Sequence, residues 1–233
     1  MPPDADLSRR RLLAALAIWP LGAAGAPSWA QEAADAAGLV APNVCLLSPE
    51  TTAGPYYLDP RLVREDIREG RPGVPLRVLL QVVDADCRPI AGARVDAWQC
   101  DAEGNYSGFE GQGSDRALDT RGETFLRGIQ ATGADGVARF LTIWPGWYRG
   151  RTPHVHYRVT LDDRRVLTSQ LFFPDGTSEA IYREAEPYAA RATAQDMDNR
   201  HDRIALRAGS GAVARVSRDR GQFRAALVVG VRA

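Results

Sequence analysis

The segment Thr142-Ile143-Trp144-Pro145-Gly146-Trp147-Tyr148-Arg149-Gly150-Arg151-Thr152-Pro153-His154-Val155-His156 gathers a tyrosine, an arginine and a His-x-His pair into one short stretch. If the chain runs on as a strand through Tyr157 to Leu161, side chains two apart share a face, so His154 and His156 point the same way. Converging imidazoles suit a transition metal, and a tyrosine adds a hard anionic oxygen that favours a high oxidation state such as ferric iron. A bare His-x-His pair is also compatible with a copper or zinc centre, which stays open as an alternative. Of the seven tyrosines, Tyr106 and Tyr148 stand apart, because each sits where a Gly-rich loop meets a strand and loops carry function. The third histidine, His201 in Asp198-Asn199-Arg200-His201-Asp202, reads as a solvated loop residue.

Positioning such a cluster requires a rigid frame, and the sequence supplies many short strands. Apolar or alternating runs occur at Leu76–Val83, Ala93–Cys100, Thr124–Ile129, Val137–Ile143, His156–Leu161, Val166–Phe173, Arg203–Arg207, Ala212–Ser217 and Phe223–Val231. Turn signals such as Gly133-Ala134-Asp135-Gly136 separate them, a density that predicts an all-β sandwich with long active-site loops. Helix is minor, with candidates at Pro60–Glu69 and at Ser178–Thr193, the second broken by Pro187.

The chain has 233 residues, 29 basic and 29 acidic side chains and no net charge, which gives no electrostatic reason to bind nucleic acid or an anionic membrane. Ser8-Arg9-Arg10-Arg11, an apolar stretch to about Gly25 and then Ser28-Trp29-Ala30 resemble a secretory signal of the twin-arginine kind. The expected organisation is a signal peptide at 1–30, an Ala-rich linker at 31–42 and one domain at 43–233. The mature protein would be periplasmic or secreted, with no membrane contact after cleavage. Export permits disulfides, and the turn after Cys87 would let it face Cys100 across adjacent strands. Cys87–Cys100 is the suggested pair; the other two pairings stay open, and Cys45 is left over.

Two longer patterns carry a resemblance. Asp84-x-x-Cys87-x-Pro89-x-x-Gly92-Ala93-x-Val95-Asp96-x-Trp98-x-Cys100-Asp101-x-x-Gly104-x-Tyr106, together with the Tyr148 to His156 stretch, resembles the intradiol ring-cleavage dioxygenases, within them the protocatechuate 3,4-dioxygenase-like branch with secreted members. Thr168-Ser169-Gln170-Leu171-Phe172-Phe173 and Thr52-Ala53-Gly54-Pro55-Tyr56 extend the likeness, which runs from about Cys45 to Phe173. The resemblance implies Tyr106, Tyr148, His154 and His156 as ligands of a non-haem Fe(III) ion. It also implies Arg151 beside the substrate, Gln170 near the iron, and Gly54, Pro55 and Tyr56 along the substrate pocket.

The activity it implies is cleavage of a catechol-type ring by O2 to a cis,cis-muconate-type diacid, with Tyr148 as the phenolate that departs and takes a catechol proton. The Tyr148 to His154 interval is short for the better-known members, so the choice of catechol stays open, as does assembly into a homo-oligomer. A rival reading is a secreted, non-catalytic transthyretin-like binding module, because Gly92-Ala93-x-Val95 and Asp101-x-x-Gly104-x-Tyr106 resemble such domains too.

Overall fold

Period-two alternation of apolar side chains, turn by turn, yields two four-stranded sheets that bury their facing sides against each other. The computed structural model describes residues 46–59 and 61–232. Within them the strands are β1 (Pro75–Val83), β2 (Arg94–Trp98), β3 (Arg127–Ala131), β4 (Val137–Ile143), β5 (His154–Leu161), β6 (Arg164–Phe172), β7 (Arg215–Asp219) and β8 (Gln222–Gly230). One sheet has the order β4-β1-β8-β7 and the other β3-β2-β5-β6. Leu76, Val78, Leu80 and Val82 of β1 and Ala225, Leu227 and Val229 of β8 meet Val95, Ala97, Val155, Tyr157 and Val159 of the opposite sheet in one core. This is the all-β sandwich expected of the sequence.

Because Val155, Tyr157 and Val159 point inward, His154 and His156 must lie on the outer face of the second sheet. Register then sets their neighbours: His156 pairs with Trp98 on β2 and with Gln170 on β6, and His154 pairs with Phe172. All five side chains are nevertheless buried. Loops cover this end of the sheet, which explains why the start of β5 is buried on both faces.

Several expectations change. Residues 61–69 form no helix; the segment is extended, and the Arg64 and Ile67 amides donate to the carbonyls of Ile129 and Leu141 on β3 and β4. Pro60 lies outside the described residues. The run Arg203–Arg207 is not a strand but part of helix α2 (Arg203–Ala208), because the Asp202 carboxylate caps the amides of Ile204 and Ala205. The long helix candidate becomes α1 (Asp175–Glu184) and a 3-10 turn at Tyr188–Ala194, interrupted at Pro187 as expected. Helix is minor, and among the described residues no helix is long and apolar enough to cross a membrane.

The Cys87–Cys100 disulfide is overturned: Cys100 is free and buried, whereas Cys87 is disulfide-bonded. The reason is placement. Cys87 belongs to the turn between β1 and β2, which are in different sheets, whereas Cys100 follows the far end of β2. That strand alone extends about 13 Å, beyond the roughly 4.4–6.8 Å between Cα atoms that a disulfide spans. Cys45, the expected signal peptide at 1–30 and the linker at 31–42 lie outside the described residues.

Candidate metal and substrate site

Two loops bring the tyrosines to the histidine face. In the first, the Asp101 carboxylate accepts the amides of Glu103 and Asn105 at 3.0 and 2.9 Å, a tight turn that presents Tyr106. In the second, the phenols of Tyr182 and Tyr188 donate to the carbonyls of Pro145 and Trp144 at 2.7 and 2.6 Å and brace the approach to Tyr148. The loops touch backbone to backbone through two glycines. A Cβ at Gly104 would lie 2.4 Å from the Trp147 carbonyl oxygen, and one at Gly146 would lie 2.4 Å from that of Ala102. Any larger residue at either point would push the two tyrosines apart.

At the meeting point four donor atoms converge. His154 Nε2 lies 3.3 Å from Tyr106 Oη, 3.2 Å from Tyr148 Oη and 3.1 Å from His156 Nε2. Its other nitrogen, Nδ1, is 2.7 Å from the Thr152 carbonyl and donates to it, so Nε2 presents a lone pair to all three neighbours. One lone pair serves one hydrogen bond, not three. Atoms held about 2.0–2.1 Å from a common centre at roughly 90–110° lie about 2.8–3.4 Å apart, and all three distances from His154 Nε2 fall in the range expected of ligands around a first-row metal. Two phenols and two imidazoles are a donor set for a hard, highly charged ion such as Fe(III). No group of three or more His, Cys, Asp or Glu side chains forms a metal site among the described residues.

Burial sets the protonation of all four. It pushes the Tyr106 phenol well above its usual 10, with nearby Tyr148 adding to the rise. It pushes Tyr148 up to about 12, against the pull of the Arg151 guanidinium. It drives His154 down to about 3 and His156 well below 6.5, with the Arg151 charge helping in both. Thr52 offsets part of this for His156, although His156 Nδ1 has no hydrogen bond of acceptable geometry. Both imidazoles are therefore in the neutral form that binds metal, and both phenols need a cation to ionise.

The remaining candidates sit around this centre. Gly54 lies against the His156 ring, where a Cβ would meet Cε1 at 3.3 Å. Tyr56 stacks on Tyr106 with ring centroids 4.7 Å apart, and Pro55 is exposed. Arg151 Nη1 reaches Tyr148 Oη at 3.3 Å and His154 Nε2 at 3.4 Å, and its Nη2 donates to Gln170 Oε1 at 2.5 Å. Gln170 also donates from Nε2 to the Thr52 carbonyl at 3.0 Å, so its polar atoms hold Arg151 and the N-terminal arm. A cleft of about 900 Å3, lined by Tyr56, Gly104, Trp147, Tyr148 and Arg149 among others, opens onto the tyrosine side. His201 is exposed and pairs with Asp198 at 2.6 Å.

The family model described as "Dioxygenase" matches residues 51–181, more than half of the chain. The chain belongs to the intradiol ring-cleavage dioxygenases. An intradiol ring-cleavage dioxygenase from Tetranychus urticae superposes with a TM-score of 0.73 at 33% identity, over 81% of this chain and 95% of that one. Catechol 1,2-dioxygenase 1 of Acinetobacter lwoffii is 31% identical over 53% of this chain and 45% of its own. The protocatechuate 3,4-dioxygenase beta chain of Burkholderia cepacia is 34% identical over 50% of this chain and 52% of its own. The match thus spans about half the length of these curated relatives.

Three residues of this family member were not singled out for the site by sequence reasoning. Trp98 stacks on His156 at 4.9 Å and 7° between planes, and strand parity places it there. Arg127 is 1% exposed, and donates to Ser107 Oγ, the Ser107 carbonyl and the Tyr56 carbonyl at 2.8, 2.7 and 2.7 Å, tying the Tyr106 loop to the arm that carries Tyr56. Burial lowers that guanidinium to about 10; no sequence signal marks it. The third, Asp202, accepts from Arg151; because the sequence pattern after it reads as a strand, nothing in the sequence marked this carboxylate.

The neutral imidazoles also make a prediction for the metal-free protein. Unfolded, both histidines titrate near 6.5, and folded His154 titrates at about 3. Between those values the unfolded chain binds more protons, so stability is full above about pH 6.5 and falls as the pH drops through this window. Urea denaturation of the metal-free protein should show a lower midpoint at about pH 5 than at about pH 7.5, a range above the ordinary titration of the carboxylates. Equal midpoints would contradict the burial of neutral imidazoles.

Proposed function

We propose that the chain is a non-haem Fe(III) intradiol dioxygenase that opens a catechol-type ring with O2, between its two hydroxylated carbons, to a cis,cis-muconate-type diacid. The observation that carries this reading is the convergence of Tyr106, Tyr148, His154 and His156 on one point beside Arg151. The likeness to a catechol 1,2-dioxygenase and a protocatechuate 3,4-dioxygenase chain supports it. Ferric iron held by these four side chains would supply Lewis-acid polarisation and a template for a bidentate catecholate.

The chain's own residues divide the remaining work by their surroundings. Tyr106 is 1% exposed and covered by Tyr56, so it stays in place. Tyr148 lines the cleft, and its Oη is positioned to take a proton from an incoming catechol hydroxyl. Arg151, held by Gln170, presents its Nη1 beside Tyr148 and His154, where a guanidinium favours an anionic ring over a neutral one. Trp98 and Tyr56 wall the centre with apolar surface that limits water.

The test is the product. Iron-loaded protein given catechol under labelled oxygen should consume one O2 per ring and form a diacid that carries both labelled atoms. An ortho-quinone, a singly labelled product or no oxygen uptake would overturn the reading in favour of a copper or zinc centre or a non-catalytic module.

A further inference from the structure

We propose that Asp202 is a positioning residue that aims Arg151 into the site, an inference that rests on the catechol-cleaving reading above. Asp202 lies outside the 51–181 segment shared with the family model. It is 1% exposed, and its two carboxylate oxygens serve different partners. Oδ2 accepts from Arg151 Nε at 2.8 Å and from the Thr152 amide at 3.0 Å. Oδ1 accepts from the amides of Ile204 and Ala205 at 2.7 and 3.2 Å, capping α2. One buried carboxylate therefore joins the segment leading to the His-x-His pair to the C-terminal helix.

The guanidinium is planar, so fixing one edge fixes the others. With Nε on Asp202 and Nη2 on Gln170, Nη1 is directed at Tyr148 Oη and His154 Nε2. The anchor itself is secured: the Asp202 amide donates to the Asp198 carbonyl at 3.0 Å, Asn199 Nδ2 donates to the Phe173 carbonyl at 2.7 Å, and Thr152 Oγ1 lies 3.2 Å from Asn199 Oδ1. A long, flexible arginine side chain loses rotamer freedom when ordered, and Asp202 imposes that order before substrate arrives.

Asp202→Asn separates clamp from cap. Asparagine caps helices as well as aspartate does, so α2 keeps its start if the amide oxygen takes the Oδ1 position. The amide NH2 then faces Arg151 Nε–H and the Thr152 N–H, donor against donor, and Arg151 is released.

The first readout is independent of turnover. In metal-free protein labelled with nitrogen-15, the Arg151 Nε–H resonance, assigned by its loss in Arg151→Ala, should exchange slowly with solvent in the parent and rapidly in Asp202→Asn. The second is kinetic. Iron content should stay at the parental level while kcat falls roughly tenfold or more with a smaller change in KM, and Asp202→Asn should add almost nothing in an Arg151→Ala background. Asp202→Ser, which can cap but cannot span to Nε, should behave alike and serves if the asparagine variant does not fold. Parental exchange and kcat in the folded variant, or independent, multiplying losses in the double variant, would overturn the proposal. A parent protein that shows the protected resonance but cleaves no catechol would overturn the functional reading and leave the clamp standing.

Discussion

His156→Ala protein is expected to emerge without metal and without activity. The His156 imidazole is fully enclosed, stacked on Trp98 and only 3.1 Å from His154 Nε2, so its removal leaves a pocket walled by an indole. Tyr106→Phe should act similarly for a different reason: the ring still packs against Tyr56, but the phenolate charge that a ferric ion requires is gone. Both variants should fold, since a cavity or a lost hydroxyl costs about 1–5 kcal/mol against a whole core. Turnover should fall by more than about a thousandfold, equivalent to over roughly 4 kcal/mol. Metal analysis checks the claim, and stoichiometric iron with parental turnover in both variants would remove these side chains from the centre.

Arg151→Ala carries the second largest expectation. Arginine cannot ligate a metal, so iron content and colour should persist while kcat/KM falls about tenfold to a thousandfold, or roughly 1.4–4 kcal/mol. If the contact acts mainly in the transition state, kcat falls about as much. The competing reading, an ordinary surface ion pair worth about 0–1 kcal/mol, conflicts with the burial: the side chains of Arg151 and Asp202 are only 15% and 1% exposed. Removing the guanidinium strands a buried carboxylate, and stability should drop by about 3–5 kcal/mol. Kinetics toward several catechols, together with a denaturation curve, separate the two effects. Unaltered kinetics would place Arg151 outside the reaction whatever the stability change.

Much of this site could be read along the chain because strand parity is a local property. Once His154 and His156 are placed on β5, the alternation that buries Val155 and Tyr157 in the core directs the imidazoles to the other face; Gln170, implied only by the resemblance, reaches His156 through the β5–β6 register. Tyr106 and Tyr148 were legible as tyrosines in glycine-rich loops. Why they meet was not, because the contact of Gly104 with Trp147 and of Gly146 with Ala102 is made between distant segments.

The misread elements share a cause. Residues 61–69 have amides that bond to β3 and β4, and Arg203–Ala208 is helical because of the carboxylate just before it, so tertiary or capping contacts outweigh the local apolar pattern. The disulfide failed through topology: consecutive strands β1 and β2 belong to opposite sheets.

The central claim is a ferric centre, ligated by tyrosine, that binds catechols. Its most direct measurement is the visible spectrum of the purified, iron-supplied protein, before and after anaerobic addition of catechol, protocatechuate or hydroxyquinol. The account predicts a burgundy protein whose visible band shifts to longer wavelength when at least one of the three binds, as expected if Tyr106 and Tyr148 would hold the ferric ion and Tyr148 would take up a catechol proton. A colourless protein loaded with another metal, or an iron-loaded spectrum unmoved by all three, would contradict it.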